Sequence, residues 1–180
     1  MTTMTELVTA HTSALGAGTL AAIRKLLDDA FEGDFDDEDW DHTLGGMHAL
    51  LWEGDLLVAH AALVQRRLLH GGRALRTGYV EGVATRADRR RRGFGTAVMG
   101  ALDPVLRGGY ELGALSAADE AAALYRSLGW QCWQGPTSVL APGGVERTEE
   151  DDDSTFVLPL TAPVDLTGEL VCDWRDGDVW

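Results

Sequence analysis

A chain of 180 residues, 45 % of them hydrophobic, fits one domain with its own core, taken as residues 1–180. Fifteen Lys and Arg against 29 Asp and Glu leave a formal charge of −14, which disfavours nucleic acid as a partner and favours a cationic ligand. No apolar run reaches the length of a membrane span, and the N-terminus shows no basic-then-apolar leader. Cys132 and Cys172 stand in no metal or redox spacing, and the five histidines show none either, so a cytoplasmic protein without a metal is expected.

In chain order, residues 6–10 read as a strand. Thr19 is placed to cap a helix whose stripe is Leu20, Ile23, Leu26, Leu27, Ala30 and Phe31. A short helix is expected near residues 39–43, ended by Gly45-Gly46. Residues 47–52 and 56–69 read as strands about a Gly54-Asp55 turn, and Gly71-Gly72 leads into a long strand over 75–85. The helix after Gly95 contains Pro104 and is expected to kink there or end at Asp103. A strand over 110–115 is followed by a helix to Ser127, with Ser116 as cap and Asp119 as its capping-box partner. Short strands over 130–133, 138–141 and 156–160 complete the set, and residues 161–180 read as a polar tail. The order implies an α+β to α/β fold, a mixed sheet flanked by helices.

The junction at Thr85 is the most informative segment. A strand ends there, and Arg89, Arg90, Arg91 and Arg92 lead into Gly93-Phe94-Gly95 and a helix. Unpaired amides at a helix start, with the positive end of its dipole, attract an anion. Glycines let a bulky ligand approach the backbone, and arginines add charge-assisted bonds to phosphate. The residues therefore point to a pyrophosphate cradle. A nucleotide P-loop is excluded because no Lys precedes Thr96, and a dinucleotide fingerprint because Val98 occupies its third glycine position. What remains, Arg90-x-x-Gly93-x-Gly95, resembles the acetyl-CoA loop of the GCN5-related N-acetyltransferases.

Several further segments resemble one branch, the aminoglycoside 2'-N-acetyltransferases. They are GDF (33–35), DHTLGGMHAL (41–50), GYVEGVA (78–84), LGALS (112–116), GPTSVLAP (135–142) and CDWRDGDVW (172–180). The resemblance implies acetyl transfer from acetyl-CoA to the 2'-amine of gentamicin, tobramycin or kasugamycin-like sugars, by a homodimer. It places the cofactor pyrophosphate on Arg90, Arg91, Arg92, Gly93, Phe94 and Gly95. The pantetheine arm would lie along the backbone of Val83, Ala84 and Thr85, with the Val83 amide polarising the thioester. The four-arginine run departs from the family's usual loop. The same resemblance implies a sugar pocket of Asp34, Glu81, Gly82, Ser116, Asp151, Asp178 and Trp180, with residues 161–180 contributing.

The chemistry also follows from the residues. A protonated amine needs a base before it attacks a thioester, and Glu81, on an otherwise apolar or small-residue strand, is the best candidate. A pairing of Glu81 with Arg66 or Arg76 is the bland alternative. Tyr125 is the candidate acid for the departing thiolate, the alternative being a core tyrosine. Direct attack in a ternary complex needs no covalent intermediate. Trp40, Trp52, Trp130 and Trp133 are expected in the core or an interface. Same-fold action on a polyamine, a cell-wall amino sugar or a protein N-terminus is the competing enzyme reading. A non-catalytic CoA-binding module is the competing reading from another class.

Overall fold

The computed structural model describes residues 4–180. The first three residues of the expected 1–180 domain lie outside them. The chain divides into two compact units, Met1–Val64 with Val80–Pro104, and Gln65–Tyr79 with Val105–Trp180. Among the described residues, no helix is long and apolar enough to cross a membrane.

In the first unit, β1 (Thr5–His11) pairs antiparallel with β2 (Met47–Glu53), and β2 with the opening half of β3 (Leu56–His70). The closing half of β4 (Arg73–Thr85) belongs to the same unit. Residues 57–63 of β3 are buried without alternation, as in a strand covered on both faces. Helix α1 (Ala17–Ala30) lays Ile23, Leu26 and Leu27 against Leu50, Leu57 and Ala84, with Phe35, Trp40 and Trp52 packed at the margin. Helix α2 (Asp37–Thr43) is capped by Asp36, whose carboxylate accepts the Asp39 amide while Asp39 accepts that of Asp36. Thr19 does not cap α1. The helix starts two residues earlier, after Gly16, and has no side-chain cap.

The second unit holds β5 (Leu112–Ser116), α4 (Ala122–Ser127), β6 (Gln131–Cys132), β7 (Thr137–Ala141), β8 (Gly144–Arg147), β9 (Thr155–Pro159) and β10 (Leu170–Asp173). Its strand order is β6-β9-β5-β4-β3-β10-β7-β8. The β4/β5 and β10/β7 pairs are parallel, while β5/β9, β6/β9, β7/β8 and β3/β10 are antiparallel, so the sheet is mixed. Trp130 and Trp133 are core residues, 4 % and 1 % exposed. The polar tail contains a strand: Leu170, Val171 and Cys172 are buried in β10, between β3 and β7.

Two further points concern helix ends. Helix α3 (Phe94–Gly109) does not end at Asp103 but continues through Pro104. Pro104 cannot donate to the Gly100 carbonyl, and both residues are exposed, so that carbonyl is open to solvent. Ser116 caps no helix. It is the last residue of β5, paired with Thr155, and α4 begins six residues later through a 3-10 turn at Asp119–Ala121.

Candidate active site

In the first unit, Val83, Ala84 and Thr85 close β4, a 3-10 turn spans Ala87–Arg89, and α3 starts at Phe94. Arg91 and Gly93 both take left-handed backbone (φ 62° and 78°), the alternation from which anion-binding amide nests are built. The first amides of the 16-residue α3 add to it, since none has an intrahelical acceptor. Nothing lies within 4 Å of a Cβ built on Gly93, so its backbone angle, not crowding, requires glycine there.

The four arginines divide into two pairs. Arg89 Nε donates to Glu53 at 2.7 Å, its Nη1 to Asp88 at 2.9 Å, and Arg92 lies 3.8 Å from Glu53. These two anchor the loop to the end of β2. Arg90 and Arg91 are exposed and have no carboxylate partner among the described residues. Two cations without carboxylate partners therefore lie on the loop that leads into the first amides of α3, an arrangement suited to an anion.

Glu81 and Gly82 lie just upstream on β4, both half-buried. Gly82 is left-handed (φ 56°), and a Cβ there would meet Thr43 at 3.2 Å and Leu27 at 3.4 Å. The two arginines proposed as bland partners for Glu81 are engaged elsewhere. Arg66 Nε donates to Asp173 at 2.7 Å and its Nη2 to the Asp173 and Val179 carbonyls, while Arg76 Nε donates to the Gly109 carbonyl at 2.7 Å. Asp34 is exposed on the turn after α1.

The remaining candidates belong to the second unit. Tyr125 is 5 % exposed, edge-on to Trp130 and tilted against Phe156. Burial pushes its phenol up to about 12, so it is protonated at neutral pH and holds a proton to donate. Ser116 is exposed at the end of β5. Asp151 lies half-buried on the 3-10 turn Glu149–Asp151. Burial, then Asp178, Glu150 and Asp152, push its carboxyl up to about 6. It has no basic partner among the described residues. Its neighbour Asp152 is structural: it binds Arg147 at 2.8 Å and the Thr137 hydroxyl at 2.8 Å, and is held far below the usual carboxylate range. Asp178 accepts the Trp180 amide at 3.2 Å. The Trp180 indole is buried and donates to Thr148 at 2.9 Å, and its main-chain oxygen accepts from Arg175 at 3.0 Å.

Residues 12–133 match the family described as the acetyltransferase (GNAT) domain. The "Aminoglycoside 2'-N-acetyltransferase" of Mycolicibacterium fortuitum is 58 % identical over 174 residues, covering 94 % of this chain and 89 % of that protein. The chain belongs to the aminoglycoside 2'-N-acetyltransferase family of GNAT proteins. Among solved structures, a GNAT family acetyltransferase from Brucella melitensis in complex with acetyl-CoA is similar in fold (TM-score 0.62, 15 % identity, 94 % of this chain and 96 % of that one). A GCN5-related N-acetyltransferase from Kribbella flavida matches 74 % of this chain with a TM-score of 0.57 and 24 % identity; this chain spans 34 % of its length.

The acetyltransferase also contains polar residues that sequence reasoning passed over. His48 and His60, which show no metal spacing, are both fully buried on neighbouring strands. The available signal was a histidine within each of two apolar strand runs. Arg175, which holds Trp180 and lies 5.5 Å from the Tyr79 ring centroid, left no signal beyond its place in the C-terminal motif.

Proposed function

We propose that this chain transfers the acetyl group of acetyl-CoA to the 2'-amine of an aminoglycoside by direct attack in a ternary complex. The identity of 58 % with an aminoglycoside 2'-N-acetyltransferase carries the substrate class. The left-handed pair Arg91 and Gly93 before α3, flanked by unpaired arginines, supports the coenzyme site. Acetyl-CoA supplies the activated acyl group. Arg90, Arg91 and the amides of residues 92–95 bind its diphosphate, and the strand end 83–85 orients the arm, with the Val83 amide facing the thioester carbonyl. Glu81 takes the amine proton, directly or through water, and Tyr125 gives a proton to the thiolate. To acceptor binding we assign Asp34, Glu81 and Gly82 of the first unit, and Ser116, Asp151, Asp178 and Trp180 of the second.

The test is a thiol-release assay with acetyl-CoA and paired drugs. Turnover is expected with aminoglycosides bearing a 2'-amine and absent with those bearing a 2'-hydroxyl. Equal turnover on both, or none on either, contradicts the reading. Free Cys132 and Cys172 support a reducing, cytoplasmic setting. Leu140 on β7 and Val145 on the edge strand β8, paired across the ladder and 44 % and 57 % exposed, support a homodimer.

Asp151 adds a pH prediction. Its carboxyl is raised in the folded protein, so it ionises as pH rises through about 6, and the fold is favoured by its protonated form below that. A bound ammonium gains an ionised partner only above that point. Acceptor affinity measured by calorimetry is therefore expected to strengthen from about pH 5 to about pH 7, and Asp151→Asn to flatten that rise. An unchanged slope in the variant would remove Asp151 from the pocket.

A further inference from the structure

The first unit encloses a continuous hydrogen-bonded chain that the reaction scheme above does not use. His48 on β2 and His60 on β3 are both 0 % exposed. His60 Nδ1 lies 2.7 Å from the Gly82 carbonyl oxygen, and His60 Nε2 lies 2.9 Å from His48 Nδ1. His48 Nε2 lies 2.7 Å from the Thr12 hydroxyl, which accepts the Gly45 amide at 2.9 Å. The Thr12 amide in turn donates to the Gly46 carbonyl at 3.0 Å.

The proton positions follow from the last acceptor. A carbonyl oxygen only accepts, so His60 Nδ1 carries hydrogen. Burial, opposed by the bond to Gly82 and aided by His48, pushes His60 down to about 3, and burial with His11 pushes His48 down to about 4, so both rings are neutral at physiological pH. His60 Nε2 is then a lone pair, His48 Nδ1 must donate to it, and His48 Nε2 must accept from Thr12. The Thr12 hydroxyl has two acceptors in reach, His48 Nε2 at 2.7 Å and the Gly46 carbonyl at 3.3 Å; the His48 tautomer set from the Gly82 end directs its hydrogen to the nearer one.

What this chain holds is the backbone at Gly82. A left-handed residue inside a strand redirects its own carbonyl and the next peptide, which fixes where the flanking side chain and amide point. The flanking groups here are the Glu81 carboxylate and the Val83 amide. We propose that His60, oriented by His48 and Thr12, is a positioning residue for acetyl transfer that locks the Gly82 carbonyl and thereby aims Glu81 and the Val83 amide. The proposal rests on the acetyl-transfer reading above. His60 touches neither substrate nor coenzyme in it.

Two measurements test it. In histidine-selective 15N-labelled wild-type protein, ring spectra are expected to show both His48 and His60 neutral and protonated at Nδ1 between about pH 5 and about pH 8, against the ordinary titration of an exposed histidine near 6.5. Hydrogen on Nε2 of His60 would overturn the proposal, whether or not any variant folds. In steady-state kinetics, His60→Leu is expected to lower kcat about 100-fold while the KM for acetyl-CoA moves only a few-fold, since misalignment and not binding is lost. His60→Asn, whose amide nitrogen replaces Nδ1 as donor to Gly82, is expected to recover most of that loss. Wild-type kcat in His60→Leu, or no recovery in His60→Asn, would overturn the positioning role. An inactive wild-type protein would instead overturn the acetyl-transfer reading itself.

Discussion

Glu81→Gln is expected to lower kcat by about 10²–10³-fold at neutral pH while leaving coenzyme affinity nearly unchanged. An aminoglycoside amine is largely protonated at that pH, and the attacking lone pair exists only after a proton leaves. Glu81 is the half-buried carboxylate of the strand that runs into the coenzyme loop, one residue before the left-handed Gly82. Gln keeps the volume and the hydrogen-bonding reach but cannot accept a proton. The loss should shrink as pH rises, because the acceptor then deprotonates without help. A kcat within about threefold of wild type across that range would remove Glu81 as the base.

Gly46→Ala is expected to be strongly damaging for so small a substitution, costing about 4 kcal/mol of stability. A Cβ at residue 46 would sit 1.9 Å from the Leu63 carbonyl oxygen and 2.8 Å from its carbon. Both belong to the backbone of β3 in the β2/β3 ladder, where Met47 pairs with Leu63, so no side chain turns aside to relieve the clash. The substitution also strikes the acceptor of the Thr12 amide, at the open end of the buried histidine chain. Gly18→Ala is the matched control. It lies in the first turn of α1 with nothing within 4 Å, and alanine there should raise stability by about 0.5–1 kcal/mol. Thermal melts of the two variants should move in opposite directions, Gly46→Ala downward by roughly 10 °C. Equal melting temperatures would mean that β3 gives way at residue 63.

The loop between β4 and α3 was legible because its requirements are local. Strand end, positive φ, arginines and helix start all lie within residues 79–95, and each leaves its own residue type in the chain. The division of labour among the arginines was not legible, since Glu53, which anchors Arg89 and Arg92, lies on β2, 36 residues from Arg89 in sequence. Strand β10 escaped for a related reason. Its Leu170–Asp173 run is short and sits among turn residues, and only its place between β3 and β7 makes it a strand. The helix continued past Asp103 because the carbonyl that Pro104 leaves without a donor, that of Gly100, is exposed to solvent. Ser116 and Thr19 misled because cap residue types also occur at strand ends and inside first turns, where they have other neighbours. In the acidic run 149–153, residue types were readable but charge states were not: Asp151 and Asp152 are adjacent, yet one is raised to about 6 and the other held far below its usual range.

Each role assigned to β4 and α3 assumes that the coenzyme diphosphate sits at the start of that helix. A crystal structure with coenzyme A tests this most directly. Diphosphate oxygens within hydrogen-bonding distance of the amides of residues 91–95, with Arg90 or Arg91 beside them and the arm along residues 83–85, are the expected result. A diphosphate bound away from that turn would contradict it.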